Sequence, residues 1–251
     1  MLLRFFFALF FFGIAHSSLA QCGGTTDGVA LTDGKLIIDG LDMRYASSPI
    51  SVTLNQNKII LEGEKGNDCF DGGSMLGRAR KSLILIGNDG EDVLIGGQGD
   101  DLLFGAKANK DEKGSYHASD HEDDNVKDYL DGGLGVDLFY VGWKDIVVDG
   151  DGLGEIFLLG QSLKGRWVYD RKQQEHIKKE LLPMDLYGET LPIYIHEAGF
   201  FAYKTDNKEL IIMDFNGETW QKNKENGRYL TIDYWSTMIE RGNLEIRLIT
   251  K

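Results

Sequence analysis

Apolar residues in the first half of the chain come in short groups separated by polar, glycine-rich stretches. Val93-Leu94-Ile95, Leu102-Leu103-Phe104 and Leu138-Phe139-Tyr140 are three such groups. Runs this short, bounded by glycine and aspartate, predict short strands with one apolar side chain pointing inward. Ile59-Ile60-Leu61-Glu62-Gly63 and Leu83-Ile84-Leu85-Ile86-Gly87 repeat the strand-plus-glycine unit, as does Leu36-Ile37-Ile38-Asp39-Gly40. These three predict further coils that carry no ligands.

The polar stretches between the groups are themselves repeated. Gly87-Asn88-Asp89-Gly90-Glu91-Asp92-Val93-Leu94-Ile95 runs directly into Gly96-Gly97-Gln98-Gly99-Asp100-Asp101-Leu102-Leu103-Phe104. Both fit G-G-x-G-x-D-x-U-x, where U is a large apolar residue, and tandem blocks of this kind predict a parallel β-helix. The glycines permit a tight turn in conformations a side chain would forbid, and the aspartate offers a hard oxygen suited to Ca²⁺. Gly132 to Tyr140 is a third good copy. Asp123 to Asp131 keeps Asp128 and Leu130 but has lost the glycines, and Gly63 to Asp71 is a further copy. The sixth-position aspartates are therefore Asp68, Asp92, Asp101, Asp128 and Asp137. One coil takes two blocks, so Asp68, Asp92 and Asp128 are expected on one side and Asp101 and Asp137 on the other. The stretch from Gly105 to Glu122 does not resemble the blocks and reads as an enlarged, mobile surface turn. Gly72 to Gly77 reads as a turn without aspartate.

Residues 63–140 resemble the RTX (repeats-in-toxin) family of secreted proteins. The resemblance implies Ca²⁺ held between stacked turns by the sixth-position aspartates and by backbone carbonyls of the glycine positions. The ligands it implies are Asp92, Asp101 and Asp137, with carbonyls near Asn88, Gly90, Gly97, Gly99, Gly133 and Gly135; Asp68 and Asp128 come from the weaker copies. The residues alone also allow a metal-free solenoid, or acidic loops between strands. Carboxylates crowded on one edge repel each other, and a divalent cation removes that cost.

Asp149-Gly150-Asp151-Gly152-Leu153-Gly154-Glu155-Ile156 closes the repeats. It is not an EF-hand, because the fifth loop position is Leu153 and the twelfth Gly160. It resembles a segment that often follows RTX repeats, where Asp149 and Asp151 either bind a further ion or make the terminal turn. That segment is commonly continued by an all-β tail, ending here in Gly242 to Leu248. Beyond Gln161 the nine-residue period is lost. Trp167–Tyr169, Ile193–Ile195, Phe200–Tyr203, Leu210–Met213 and Tyr229–Ile232 read as strands, with turns at Asp206-Asn207 and Asn216-Gly217 and one helix over Asp170–Leu182. The fold class expected is all-β: a parallel β-roll or β-solenoid with a C-terminal antiparallel β module covering its last coil. The domain boundaries that follow are residues 1–20, 21–160 (insertion about 105–122) and 161–251.

Charge sharpens this division. From Gln161 onward there are 14 basic and 14 acidic residues, whereas Gln21–Gly160 holds 12 basic and 26 acidic ones. Acidity confined to the repeats suits cations and argues against nucleic acid, whose phosphates need a basic surface. Met1–Ala20 reads as a secretory signal peptide, with Arg4, an apolar Phe5–Ala15 and the small-residue site Ser18-Leu19-Ala20. That run is too short to span a bilayer, and no later stretch reads as transmembrane. The two cysteines, Cys22 and Cys69, could form a disulfide in the oxidising compartment such a signal implies; two free thiols, or a lipid on Cys22, are the alternatives.

No catalytic motif stands out: there is no G-x-S-x-G, H-E-x-x-H or P-loop. His117 and His121 beside Asp120 and Glu122–Asp124 have a metal-like spacing but a sequence that makes a poor helix. His196-Glu197 is the one acid–base pair kept. The reading is an exported, non-enzymatic calcium-binding β-roll protein. The alternatives are a surface adhesin or glycan-binding module using aromatics of residues 161–251, or a small secreted hydrolase or toxin with its site there.

Overall fold

Stacking x-U-x triplets in parallel puts each U side chain over the next, and the coordinates follow that rule. The structure, a computed structural model, describes residues 36–38, 41–45, 51–54, 58–63, 65–71, 82–118, 123–169, 193–205, 209–214, 220–233 and 243–250. The segments expected as a signal peptide, as the Asp170–Leu182 helix, and as turns at Gly72–Gly77, Asp206-Asn207 and Asn216-Gly217 lie outside them, as do Cys22 and His121. Strands β1 (Leu36–Ile38), β2 (Leu41–Tyr45) and β3 (Ser51–Leu54) precede the coils. The coils alternate between two sheets. One sheet takes β4 (Lys58–Glu62), β6 (Ser82–Ile86), β8 (Leu102–Phe104), β12 (Asp137–Val141) and β14 (Gly154–Leu158), with the short β15 (Gln161–Ser162) antiparallel at its end. The other takes β5 (Cys69–Asp71), β7 (Val93–Ile95), β11 (Tyr129–Asp131) and β13 (Ile146–Val148). Every pairing between successive coils in both sheets is parallel.

Register aligns the inward side chains into two facing columns. In one sheet Leu61, Leu85, Leu103, Phe139 and Ile156 are successive partners. In the other the column is Phe70, Leu94, Leu130 and Val147. All nine are fully buried in one cluster, and each contributes roughly 1.5–3 kcal/mol of burial. The repeat thus builds its own core from these columns, and the longer strands add a second buried residue to the same cluster: Ile59, Leu83, Val141 and Leu158.

Two expectations are corrected here. The unit at Leu36–Gly40 is not a parallel coil. β1 pairs antiparallel with β2, Ile38 opposite Leu41, and β2 lies antiparallel on β5. Only two residues, Asp39-Gly40, join β1 to β2, which suits a hairpin, whereas a parallel return needs a crossover of a dozen or more. The insertion is not a featureless loop either: β9 (Ala108–Lys110) and β10 (Tyr116–Ala118) form an antiparallel hairpin. Asp111 caps its turn, accepting the N–H groups of Lys113 and Ser115 at 2.8 Å each. Ala108 and Tyr116 pack on the outer face of the sheet beside Ile84, Ile86 and Phe104, where Phe104, Tyr140 and Phe157 stack with centroids 4.4 and 4.9 Å apart.

The C-terminal strands do not form a separate sheet. β20 (Tyr229–Ile232) pairs in parallel with β13, so the second sheet continues outward as β20, β19 (Leu210–Asp214), β18 (Phe200–Lys204), β17 (Tyr194–His196), β16 (Gly165–Tyr169) and β21 (Ile246–Thr250). From β20 to β16 the pairings are antiparallel. The last coil is covered, and a helix, α1 (Trp220–Glu225), accompanies the strands. Trp143 and Trp167 are buried in the same core cluster as the coils.

Candidate metal centre

Alternation between the sheets sends the turns to two opposite edges. The first edge carries turns 63–68, 87–92, 105–128 and 142–145, which end at Asp68, Asp92, Asp128 and Asp145. The second carries 96–101, 132–137 and 149–154, with Asp101 and Asp137 ending the first two. Of the sequence-predicted site residues, the structure brings Asp68, Asn88, Gly90, Asp92 and Asp128 to the first edge. It brings Gly97, Gly99, Asp101, Gly133, Gly135 and Asp137 to the second.

Each aspartate is pinned by the preceding coil. On the first edge the N–H of Asp68 donates to Oδ1 of Asp92 at 2.6 Å, that of Asp92 to Asp128 at 2.8 Å, and that of Asp128 to Asp145 at 3.0 Å. On the second, Leu83 donates to Asp101 at 2.7 Å and Asp101 to Asp137 at 2.8 Å. One carboxylate oxygen of each, Oδ1, is thereby spent on the fold, and Asp101 and Asp145 spend the second as well, their Oδ2 atoms accepting the N–H groups of Gly97 at 2.7 Å and Gly142 at 2.8 Å. Oδ2 folds back over the first glycine of its own turn. A Cβ at Gly87, Gly96 or Gly132 would collide with Oδ2 of Asp92, Asp101 or Asp137 respectively. The second edge gives the clearest view of the space between turns. The Gly132 carbonyl faces back toward Gly96, and the Gly97 and Gly99 carbonyls face forward onto Gly133 and Gly135. Gly133 and Gly135 have φ of 86° and 127°, which aim the backbone as only glycine readily allows. Oxygens from two turns and one carboxylate therefore meet in each gap. Asn88 adopts φ 70°, and its amide donates to the Gly63 carbonyl at 2.5 Å. Gly90 donates to Asp124 Oδ2 at 3.1 Å.

Residues 84–109 match the family model of the RTX calcium-binding nonapeptide repeat, four copies long. This part of the chain is an RTX calcium-binding repeat. The RTX repeat binds Ca²⁺. No curated protein and no solved structure matches the chain.

The electrostatics of these turns and of those that follow them explain why a cation suits them. Burial pushes Asp92 up to about 7, against the pull of the Asp68 N–H, with Asp68, Asp124 and Asp89 adding repulsion. Burial raises Asp101 to about 6 and Asp137 to about 9. Asp128 and Asp145 are both raised, by burial first and then by carboxylate neighbours: Asp145 beside Asp128, and Asp123 beside Asp145. Oδ2 of Asp92, Asp137 and Asp149 is buried with no hydrogen-bond partner. A buried, unpartnered carboxylate oxygen is costly, and coordination to a metal is one of the few ways to relieve it. Hard oxygens in this density fit Ca²⁺, which takes six to eight. No group of three or more His, Cys, Asp or Glu side chains able to hold a metal occurs among the described residues.

Asp145 was not among the sequence-predicted ligands. It follows Asp137 by eight residues, one short of the period, because the turn Gly142–Lys144 is abbreviated. The signal was present in Asp145-Ile146-Val147-Val148, which keeps the D-x-U-x end of the block. The other candidates have structural roles. His196 is buried, with its ring nitrogens on the Lys164 carbonyl (3.1 Å) and the Ala198 N–H (3.2 Å), and lies against Trp167. Its neighbour Glu197 is exposed. His117 contacts Asp111 at 3.2 Å on the exposed hairpin. Cys69 is disulfide-bonded. Among the described residues, no helix is long and apolar enough to cross a membrane.

Proposed function

We propose that this is an exported, non-enzymatic protein whose RTX turns order around calcium. The ligands are Asp92 and Asp128 with Asp68 on the first edge, helped by carbonyls of Asn88 and Gly90. On the second edge they are Asp101 and Asp137, helped by carbonyls of Gly97, Gly99, Gly133 and Gly135. The observation that carries the reading is the buried, unpartnered Oδ2 of Asp92 and Asp137, each set over the glycines of an RTX turn. When bound, Ca²⁺ supplies the positive charge that lets these carboxylates stay ionised while buried. The chain does the rest. The aspartate ladder fixes each Oδ2, the glycines bring carbonyls close, and the stacked U residues hold the turns in register. Without the ion the acidic edges oppose compaction; a ligand that binds only the folded state stabilises it by mass action.

Export is supported by the composition of Met1–Ala20 and by the disulfide at Cys69, which suits an oxidising compartment. A non-enzymatic role is supported by the structural employment of His196, the only acid–base candidate kept from the sequence. The test is circular dichroism and calorimetry on the full chain. Calcium should evolve binding heat and raise the β signal over chelator, and an Asp92→Ala/Asp101→Ala/Asp137→Ala variant should lose both. No heat on titration would end the proposal. Mass spectrometry of secreted material, finding Gln21 at the N-terminus, tests export separately.

A further inference from the structure

In the regular RTX turns, glycine stands just after one strand and aspartate just before the next, and the two meet. A Cβ on Gly87, Gly96 or Gly132 would run into Oδ2 of Asp92, Asp101 or Asp137. The terminal turn, 149–154, has the same six-residue length as 132–137, and its register with that turn is direct. Asp131 pairs with Val148 before the turn, and Asp137 pairs with Gly154 after it. Asp149 therefore occupies the place of Gly132, and Gly154 the place of Asp137. The two residue types have changed ends.

We infer that the terminal turn completes one more calcium site, against turn 132–137, with its carboxylate delivered from the opposite end by Asp149. The inference rests on the RTX reading of the preceding turns and extends it past residues 84–109. Two points beyond acidity support it. First, Asp149 is only 4% exposed, and its Oδ2 is buried with no hydrogen-bond partner, as is Oδ2 of Asp137 in the facing turn. Asp149 Oδ1 accepts the N–H groups of Asp151 and Gly152 at 3.0 and 2.9 Å, so the side chain is oriented and one oxygen is held in reserve. Second, the regular arrangement is closed to this turn. Gly154 has φ 140°, and a Cβ there would strike the Asp137 backbone carbonyl, so no aspartate fits at that place. The Asp137 N–H, which in the other rungs would find an aspartate Oδ1, goes to the Leu153 carbonyl at 3.1 Å instead. The turns are clamped together by Gly150 N–H on the Gly133 carbonyl (3.0 Å) and by Gly135 N–H on Asp151 Oδ2 (3.0 Å).

The test is calorimetric titration of Ca²⁺ into chelator-treated full-length chain, wild type against Asp149→Asn. Asparagine keeps an acceptor for Asp151 and Gly152 but removes the charge. The expected result is one ion fewer per chain, with the circular dichroism spectrum in saturating calcium unchanged. An unchanged ion count with unchanged affinities overturns the inference and leaves the proposed function standing. If the wild type takes up no calcium at all, both fall. If Asp149→Asn does not fold, anomalous scattering from calcium-soaked wild-type crystals decides. An ion within about 2.6 Å of an Asp149 oxygen sustains the inference, and its absence there, with ions in the other turns, refutes it.

Discussion

The main-chain N–H of Asp101 donates to Oδ1 of Asp137, one full coil later, at 2.8 Å, while Oδ2 of the same carboxylate is buried without a partner. One side chain thus performs two tasks that mutation can separate. Asp137→Asn preserves an acceptor and removes the charge; Asp137→Ala removes both. In chelator at neutral pH, Asp137→Asn should be at least as stable as wild type, since the amide spares the proton uptake that a buried carboxyl raised to about 9 requires on folding. Asp137→Ala should be less stable by about 1–3 kcal/mol, the cost of stranding a buried donor. In calcium at a hundred times its dissociation constant the order changes, because wild type gains about 2.7 kcal/mol per site that neither variant can gain in full. Urea melts in the two buffers check this. An Asp137→Asn variant that is destabilised in chelator as much as Asp137→Ala would show that charge is not the liability here.

Acidity should act in opposite directions with and without calcium. Asp92, Asp101, Asp137 and Asp149 are raised by burial to about 7, 6, 9 and 8. The folded chain therefore holds protons more tightly than the unfolded chain, whose carboxylates titrate near 3.8. Between these values the native state carries the extra protons, so the slope of stability against pH is negative. Calcium-free protein should be most stable near pH 4 and lose stability as pH rises through about 6 to 9. Calcium competes with the same protons, so its affinity should rise over that window. Denaturation in chelator at pH 5 and pH 8, paired with calcium titrations at both, measures the two signs. Chelator-treated protein that is more stable at pH 8 would contradict the burial of ionisable carboxylates in these turns.

Glycine replacements should divide by what a methyl group would meet. At Gly87 a Cβ runs into Asp92 Oδ2 and lies 2.5 Å from the Gly105 carbonyl, a backbone atom that cannot step aside. Gly87→Ala should cost about 3 kcal/mol, at the upper end of overpacking, and weaken calcium binding, because the carboxylate must move. At Gly114, on the hairpin turn, φ is 83° but the nearest atom is the flexible Lys110 side chain at 3.7 Å. Gly114→Ala should cost only the left-handed backbone penalty, about 1–2 kcal/mol, with calcium affinity unchanged. Denaturant midpoints and calorimetry on both variants make the comparison.

How far the sequence revealed this arrangement depended on whether the period held. Asp92 and Asp101 are nine residues apart, and that spacing alone implied opposite edges; Asp128 was recognisable from Leu130 two residues on, even without its glycines. Asp145 escaped because one residue is missing from its turn, so strict counting steps past it. The β1–β2 hairpin carried its signal in Asp39-Gly40, a dipeptide that favours two-residue turns, but the apolar triplet before it imitates a coil. The β9–β10 hairpin was hidden by polarity: most of it is exposed, and only Ala108 and Tyr116 face the sheet. No local pattern announces that β20 will pair with β13, because that contact joins strands more than eighty residues apart and follows from the need to cover an open sheet edge.

That junction is itself open to test. Thr231 sits opposite Ile146, and its N–H donates to the Asp145 carbonyl at 3.0 Å, so the residue that ends the aspartate ladder on the first edge is also tied to the C-terminal strands. β20 lies between β13 and β19, and proline is poorly tolerated in such an interior strand. Thr231→Pro removes the donor and should cost about 3 kcal/mol or more. It should also free the edge of β13, a row of unpaired backbone groups prone to pair with another chain, so size-exclusion chromatography should show added association. Thr231→Val keeps the N–H and suits a strand, and should behave as wild type in both measurements. If Thr231→Pro matched Thr231→Val in stability and stayed monodisperse, the C-terminal strands would not be what seals the last coil. The Asp128–Asp145 rung would then have to be held by the turns alone.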